Sequence, residues 1–378
     1  MSKDIYKKLA IHLDNLPGGF PSTKSGVELR ILRRLFTPEE AELALYLTLI
    51  PEESRVIAHR AKLSPEDATQ RLEEMSKKGL IFNIKPEGHA PLYMAAQYVI
   101  GIWEYHVNDL DPELIQDMNE YIPTLFNMEN WKQAPQLRTI PVDRSIDTQL
   151  EVLLYEKAEE LVRTHNKALV APCICRREHA MVGKGCKKPE ESCLIFGWSA
   201  DYYERTGRGR VIDQQEALDI LQKADEAGLV LQSSNSQKIV NICCCCGCCC
   251  QVLKSFKRHP KPASLVSSPF VAAANPDTCE GCGVCIDRCQ MEALHLEDEK
   301  VVLDINLCIG CGLCVSTCST GTLTLVRKPE SEQAEVPQTF KDALIKLSRV
   351  RGKLRPISAA KMVLKSKIGR VVSSKRLN

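Results

Sequence analysis

Between residues 279 and 318 the chain carries two runs of cysteine, Cys279, Cys282, Cys285 and Cys289, then Cys308, Cys311, Cys314 and Cys318. Within each run the first three are three residues apart. Thiolates at that step can wrap one iron-sulfur cube, because a tight loop turns each side chain inward and Gly281, Gly283, Gly310 and Gly312 let the backbone curl. The fourth cysteine of each run lies one step too far away to join its own three. A disulfide framework fits this pattern badly. The first residues, MSKDIYKKLAIHLDNL, lack the apolar core and cleavage site of a signal peptide, so a reducing cytoplasm is expected, where closely spaced thiols serve as metal ligands.

The segment, about 268–328, resembles a bacterial-type two-cluster [4Fe-4S] ferredoxin domain. That resemblance implies crossed ligation, in which the fourth cysteine of each run serves the other cluster. One cluster would take Cys279, Cys282, Cys285 and Cys318, and the other Cys308, Cys311, Cys314 and Cys289. The proline that follows the fourth cysteine in such domains is replaced by Gln290 and Ser319, which removes a fixed backbone dihedral but no ligand.

These runs occupy a minor part of 378 residues, a length that predicts two or three domains. No stretch reaches the eighteen or so apolar residues of a membrane span, the best candidate lying at 43–50. A net charge of +2 hides an asymmetry. From Thr339 onward there are twelve Lys or Arg against the single acid Asp342, a net of +11, which leaves −9 on residues 1–338.

Residues 1–100 read as a winged-helix-like domain. Apolar spacing predicts helices over 27–36, 38–50 and 54–61. Ser64-Pro65-Glu66-Asp67 starts a helix that stops at Gly79, and 80–84 with 92–95 supply a strand pair. The outward positions of helix 65–78 are Thr69, Gln70, Glu73, Glu74 and Lys77, a mixed set rather than the basic face that phosphate contacts need. Protein docking is therefore favoured over DNA recognition, and nucleic acid is not expected as a partner. Residues 101–146 form a helical linker region, with a helix at 112–126 and aromatic residues suited to a core.

The region 147–260 is a cysteine-rich domain. Thr148 with Glu151 reads as a capping box opening a helix of about four turns on the stripe Leu150, Leu153, Leu154, Ala158, Leu161 and Val162. Strands are predicted at 167–171, 229–232 and 239–242, with a helix at 213–227. The strands 167–171 and 239–242 are expected to be neighbours, which would bring Cys173 and Cys175 close to the string 243–250, seven cysteines in eight positions. Successive side chains of an extended chain alternate faces, so only a subset of that string can share a metal. Candidate ligands of a third centre, iron-sulfur or zinc, are Cys173, Cys175, Cys186 and Cys193 with some of Cys243, Cys245, Cys246, Cys248, Cys249 and Cys250. Redox-active or inert buried thiols are the alternatives for the first four.

The tail 339–378 alternates apolar and basic residues at helical spacing, which suits docking on an anionic membrane surface or an acidic partner; a solvated tail is the alternative. As a whole, 1–330 resembles ferredoxin-domain proteins of anaerobes that join a winged-helix-like region, a CxCR loop and a cysteine string to a ferredoxin module. The fold class expected is α+β and multidomain: a winged-helix-like N-terminal domain, a cysteine-rich α/β central domain, a two-[4Fe-4S] module and a basic helical tail. Its expected function is electron transfer through two [4Fe-4S] clusters, with a candidate third centre, to or from a partner oxidoreductase. A redox-responsive iron-sulfur transcription regulator and a cysteine-metal reductase subunit are the alternatives. No phosphate loop, dinucleotide fingerprint or nucleophile motif is found, so no catalytic residue is assigned.

Overall fold

The computed structural model describes residues 4–353 and 356–374, and within the tail expected to alternate apolar and basic residues the side chains of 354–362 lie outside what it describes. The chain folds into two compact units, neither contiguous in sequence. The first takes residues up to 127, then 201–208 and 344 onward; the second takes 128–200 and 209–343.

In the first unit the helix Val27–Leu35 buries Val27, Ile31 and Leu32, and Thr37 with Glu40 closes a reciprocal capping box at the start of Pro38–Ala44. That second helix was expected to reach residue 50. It stops at Ala44 because the Thr48 carbonyl accepts the Ala95 N–H at 2.8 Å, which draws the segment toward a sheet edge. Ser64 caps Pro65–Lys78, and Gly79 ends it at φ 87°. The sheet of this unit is antiparallel in the order β1 (Glu52–Glu53), β3 (Leu92–Ala95), β2 (Ile81–Ile84). The excursion 201–208 contributes Tyr202, whose hydroxyl donates to the carbonyls of Ser76 and Ile81, both at 2.9 Å, and whose ring lies 4.7 Å from that of Phe82. The tail helix Pro356–Ser374 returns to the same unit, where Gly369 lies so close to Val56 that a Cβ would sit 2.9 Å from its side chain. Ahead of it Arg351 and Lys353 bind the Asp14 carboxylate at 2.7 and 2.6 Å. Burial pushes the Asp14 carboxyl up, but the hydrogen bonds from Lys353 and the Phe20 N–H and the charge of Arg351 outweigh it and hold the carboxyl below its usual range.

The second unit is organised on a six-stranded sheet in the order β4 (Leu137–Ile140), β8 (Val230–Ser234), β9 (Asn241–Cys245), β6 (Glu191–Phe196), β5 (Ala168–Pro172), β7 (Arg210–Ile212). Every pairing is antiparallel, so this sheet lacks the parallel βαβ units implied by an α/β reading. The strands expected to be neighbours, β5 and β9, are separated by β6, itself unanticipated. The four-turn helix expected from Thr148 is also corrected. Only Ala158–Arg163 is α-helical in that stretch, preceded by one 3-10 turn at Leu154–Glu156, and Leu153 and Leu154 are exposed. Glu156, buried and paired with Arg327, receives the Leu153 N–H at 2.9 Å and holds the preceding residues in turns. Two further antiparallel strand pairs complete the unit, β10 (Phe270–Ala274) with the distant β13 (Leu323–Arg327), and the hairpin of β11 (Leu294–Glu297) with β12 (Lys300–Leu303). Their core is Ala272, Ala293, Leu294, Val301 and Leu323, packed with Cys308 and Cys314. Among the described residues no helix is long and apolar enough to cross a membrane.

Candidate metal centres

The loops of the two cysteine runs are shaped by glycines that no other residue replaces. At Gly310, φ 68°, a Cβ would lie 2.1 Å from the Phe270 carbonyl oxygen; at Gly312, φ 75°, it would lie 2.0 Å from Ser145 Oγ. Held this way, Cys308, Cys311 and Cys314 line one cavity together with Cys289 of the other run. Apolar residues, including Ala272, Ile309 and Leu313, complete its wall. The remaining four do not line this cavity. Cys285 is flanked by the thiols of Cys282, Cys318 and Cys279, and Cys282 is exposed to solvent.

The two quartets differ in surroundings. Burial raises the thiols of Cys289 and Cys285, pushes Cys311 up to about 12, and raises Cys314 further still, with neighbouring thiols adding to the last two. Cys318 goes the other way. Burial acts upward on it, but hydrogen bonds from Thr320 and from nearby backbone amides prevail. Backbone amides also reach sulfur in the buried quartet, Ala293 N–H to Cys289 Sγ at 3.2 Å and Ala272 N–H to Cys308 Sγ at 3.4 Å. A cavity walled by four cysteines and apolar side chains, with N–H donors on its sulfurs, suits a cubane with thiolate ligands.

The buried quartet is the one built into the rest of the unit. Val142 N–H donates to the Cys311 carbonyl at 3.0 Å. Arg288, one residue before Cys289, is paired with Asp225 at 2.6 Å, and Asp225 also receives Ser316 at 2.9 Å and Arg144 at 2.5 Å. Gln290, one residue after Cys289, accepts the Gly247 N–H at 2.7 Å. The glycine is required, since a Cβ there would lie 2.3 Å from the Gln290 carbonyl oxygen. Through this contact the cysteine string touches the ferredoxin-like segment.

The eleven central cysteines form no single set. β9 ends at Cys245, and its alternation puts Cys243 and Cys245 on one face and Cys244 on the other. The first face belongs to a chain of thiol contacts running Cys173, Cys175, Cys250, Cys245, Cys243, Cys193. Cys193 and Cys243 are register partners across β6 and β9. Along this chain Cys250 and Cys243 are lowered well below the ordinary thiol range by the thiols that donate to them, and Cys175 and Cys245 are raised by serving as those donors. The thiols of this chain thus lie within hydrogen-bond reach of one another, as ligands of one centre must. Beyond β9 the chain turns, and Cys246, Cys248 and Cys249 meet Cys186 from the loop before β6. Cys244 stays out of both groups, and its burial pushes it up to about 12.

Arg176 lies between these groups and was not singled out by sequence reasoning, although the order Cys-Ile-Cys-Arg carried the signal. It is buried, donates to the carbonyl oxygens of Pro189, at 2.6 Å, and Cys244, and its charge reaches Cys173, Cys246 and Cys245. Its Nε has no hydrogen-bond partner. Asp225 was also missed, reading only as a polar residue late in a helix. The basic pair Arg208 and Arg210 makes no anion site: Arg208 is buried against backbone carbonyls, and Arg210 pairs with Glu191 and Glu216.

Two cysteine runs between paired antiparallel strands, one quartet walling a cavity, define an iron-sulfur dicluster module within a larger cysteine-rich, metal-binding protein. Residues 272–319 match the family described as the 4Fe-4S dicluster domain. No curated protein and no solved structure matches the chain. The module and the cysteine cluster together point to iron-sulfur electron transfer.

Proposed function

We propose that the protein carries electrons to or from a partner oxidoreductase, with one [4Fe-4S] cluster held by Cys279, Cys282, Cys285 and Cys318 and a second by Cys308, Cys311, Cys314 and Cys289. The observation that carries this reading is the cavity shared by Cys289 with the three close cysteines of the other run. Each bound cluster supplies a site that takes up and releases a single electron. The chain's own residues give the pair a direction. Exposed Cys282 marks the side open to a partner, while Gln290 and Arg288 fasten Cys289 against the thiol-rich domain. The linked thiols of Cys173, Cys175, Cys250, Cys245, Cys243 and Cys193 are the candidate third centre on that side.

Anaerobic purification followed by iron and acid-labile sulfide analysis tests this reading. About eight of each per chain are expected from the two quartets, and more if the third centre is also a cluster. Fewer than four iron with no reducible paramagnetic signal would sink it. Docking through the tail is the accompanying proposal, supported by the exposed row Val363, Leu364, Ile368 and Val371 among basic residues. The N-terminal unit is read as a protein-docking platform. A DNA-reading regulator is less well supported, because Arg71, Lys78 and Lys85 around the helix Pro65–Lys78 are already engaged by Asp67, Glu40 and Glu73. Gel shifts with genomic fragments under both redox conditions separate the two readings.

A further inference from the structure

We propose that Cys186, Cys246, Cys248 and Cys249 form a closed site for a single thiophilic divalent cation of the zinc class, distinct from both ferredoxin-like quartets and from the linked run of six thiols. This goes beyond the electron-transfer reading and does not depend on it.

The argument is one of size. All four sulfurs lie within 4.8 Å of one another. A tetrahedral zinc at about 2.3 Å from each thiolate places its ligands about 3.8 Å apart, so a slight contraction completes the site. Cys248 and Cys249 are already at 3.8 Å. An iron-sulfur cube puts four metal atoms between its ligands and demands a wider set. Among the described residues, no other group of three or more cysteine, histidine or acidic side chains is packed this tightly. The ferredoxin-like quartets, shaped for a cubane, are more open.

The chain builds this compactness locally. β9 ends at Cys245, the chain turns there with Gly247 against the Gln290 carbonyl, and the turn gathers three of the thiols. The fourth arrives from the loop that connects the helix Ile174–Met181 to β6. Four thiolates around a divalent cation leave two negative charges, and Arg176, whose charge acts on Cys246, lies beside them. Exposed Cys248 gives the cation a route from solvent. With four protein ligands and no open position, such a site is structural. It ties the Cys186 loop to the end of the cysteine string and takes none of the six linked thiols.

The test uses the full-length protein purified anaerobically with its iron centres in place. Elemental analysis is expected to find about one zinc per chain, and zinc X-ray absorption a shell of four sulfurs at about 2.3 Å. Cys248→Ser and Cys186→Ser should each lower zinc at least tenfold while iron, acid-labile sulfide and the reduced paramagnetic spectrum stay unchanged. Cys244→Ser should leave zinc in place. Loss of iron and sulfide together in Cys248→Ser would show a cluster there and overturn the proposal. So would zinc indifferent to both variants, or wild-type protein that takes up none when zinc is supplied. If a variant fails to fold, the sulfur shell of the wild-type zinc still decides. Failure of the electron-transfer reading would appear separately, as absence of the ferredoxin-type signal.

Discussion

The backbone N–H of Gly247 donates to Oε1 of Gln290 at 2.7 Å, which joins the middle of the cysteine string to the residue directly after Cys289. A proline at position 290, as in the pattern this segment resembles, would offer no such acceptor. Gln290→Ala should cost about 1 kcal/mol by leaving a half-buried amide unpaired. Gly247→Ala should cost more, about 1–3 kcal/mol, because the new Cβ meets backbone that cannot swing aside. Thermal unfolding of the two variants checks the order, and equal midpoints would refute it.

Asp225 gathers Arg288, Arg144 and Ser316. Its carboxylate is almost fully buried and so is most of Arg288, so removing one partner leaves a desolvated charge. Asp225→Ala should destabilise the second unit by about 3 kcal/mol, and Ser316→Ala by no more than about 1. Denaturant titration measures both. A loss below 1 kcal/mol for Asp225→Ala would mean that water replaces it freely.

Much of this was legible from cysteine spacing, and the limits have physical causes. The step of three in 279–285 and 308–314 is a local geometric requirement, so those loops could be read directly. Likewise Ser64 and Pro65 start a helix by capping chemistry that needs no tertiary partner. The stretch after Thr148 was misread because its apolar stripe fits a helix, whereas Glu156 is taken by Arg327, far along the chain. Strand β6 went unseen for a similar reason. Residues 191–196 carry no clean alternation, and their place between β5 and β9 is decided by pairing on both edges. Alternation in β9 was anticipated, but the division of its thiols between two groups depends on where the strand ends.

The two quartets should respond differently to loss of a ligand. Cys311→Ser places a poorer ligand in a buried, apolar cavity, and should abolish one cluster while leaving much of the other's paramagnetic signal. Cys282→Ser acts at an exposed position where water can assist, and should leave a labile cluster that oxygen destroys faster than in the wild type. Indistinguishable spectra and oxygen lifetimes for the two variants would contradict the assignment of Cys311 and Cys282 to different clusters.

Thr320 lies 3.5 Å from Cys318 Sγ and is among the groups that hold that thiol low. Hydrogen bonds to sulfur favour the reduced cluster. Thr320→Val should therefore make the potential of the cluster served by Cys318 more negative by about 20–60 mV, the one-electron equivalent of about 0.5–1.5 kcal/mol. Redox titration followed by paramagnetic resonance measures this. A positive shift would show that the hydroxyl does not donate to sulfur.

The attachment of the tail should depend on pH. Lys353 and Arg351 hold the Asp14 carboxyl below its unfolded value, so their contribution is fully present above that unfolded value and is lost as pH falls through the lower, folded one. Hydrogen exchange over 344–353 should accelerate between neutral pH and about pH 3 beyond the intrinsic trend. Asp14→Asn should show the faster exchange already at neutral pH. Equal protection in the variant and the wild type would dismiss Asp14 as the anchor.

Because the first unit draws on residues before 128, on the excursion 201–208 and on the segment after 344, it cannot be completed while the chain is still on the ribosome at residue 343. All the cysteines belong to the second unit, and by then that unit has every residue it needs. Synthesis from the N-terminus therefore allows the metal-bearing half to close first, although it lies later in the sequence, and the half that begins the chain closes last. A fragment cut at residue 127 or 343 would sever the first unit, so the metal centres can be isolated as a single stretch only with Tyr202 and its neighbours carried along.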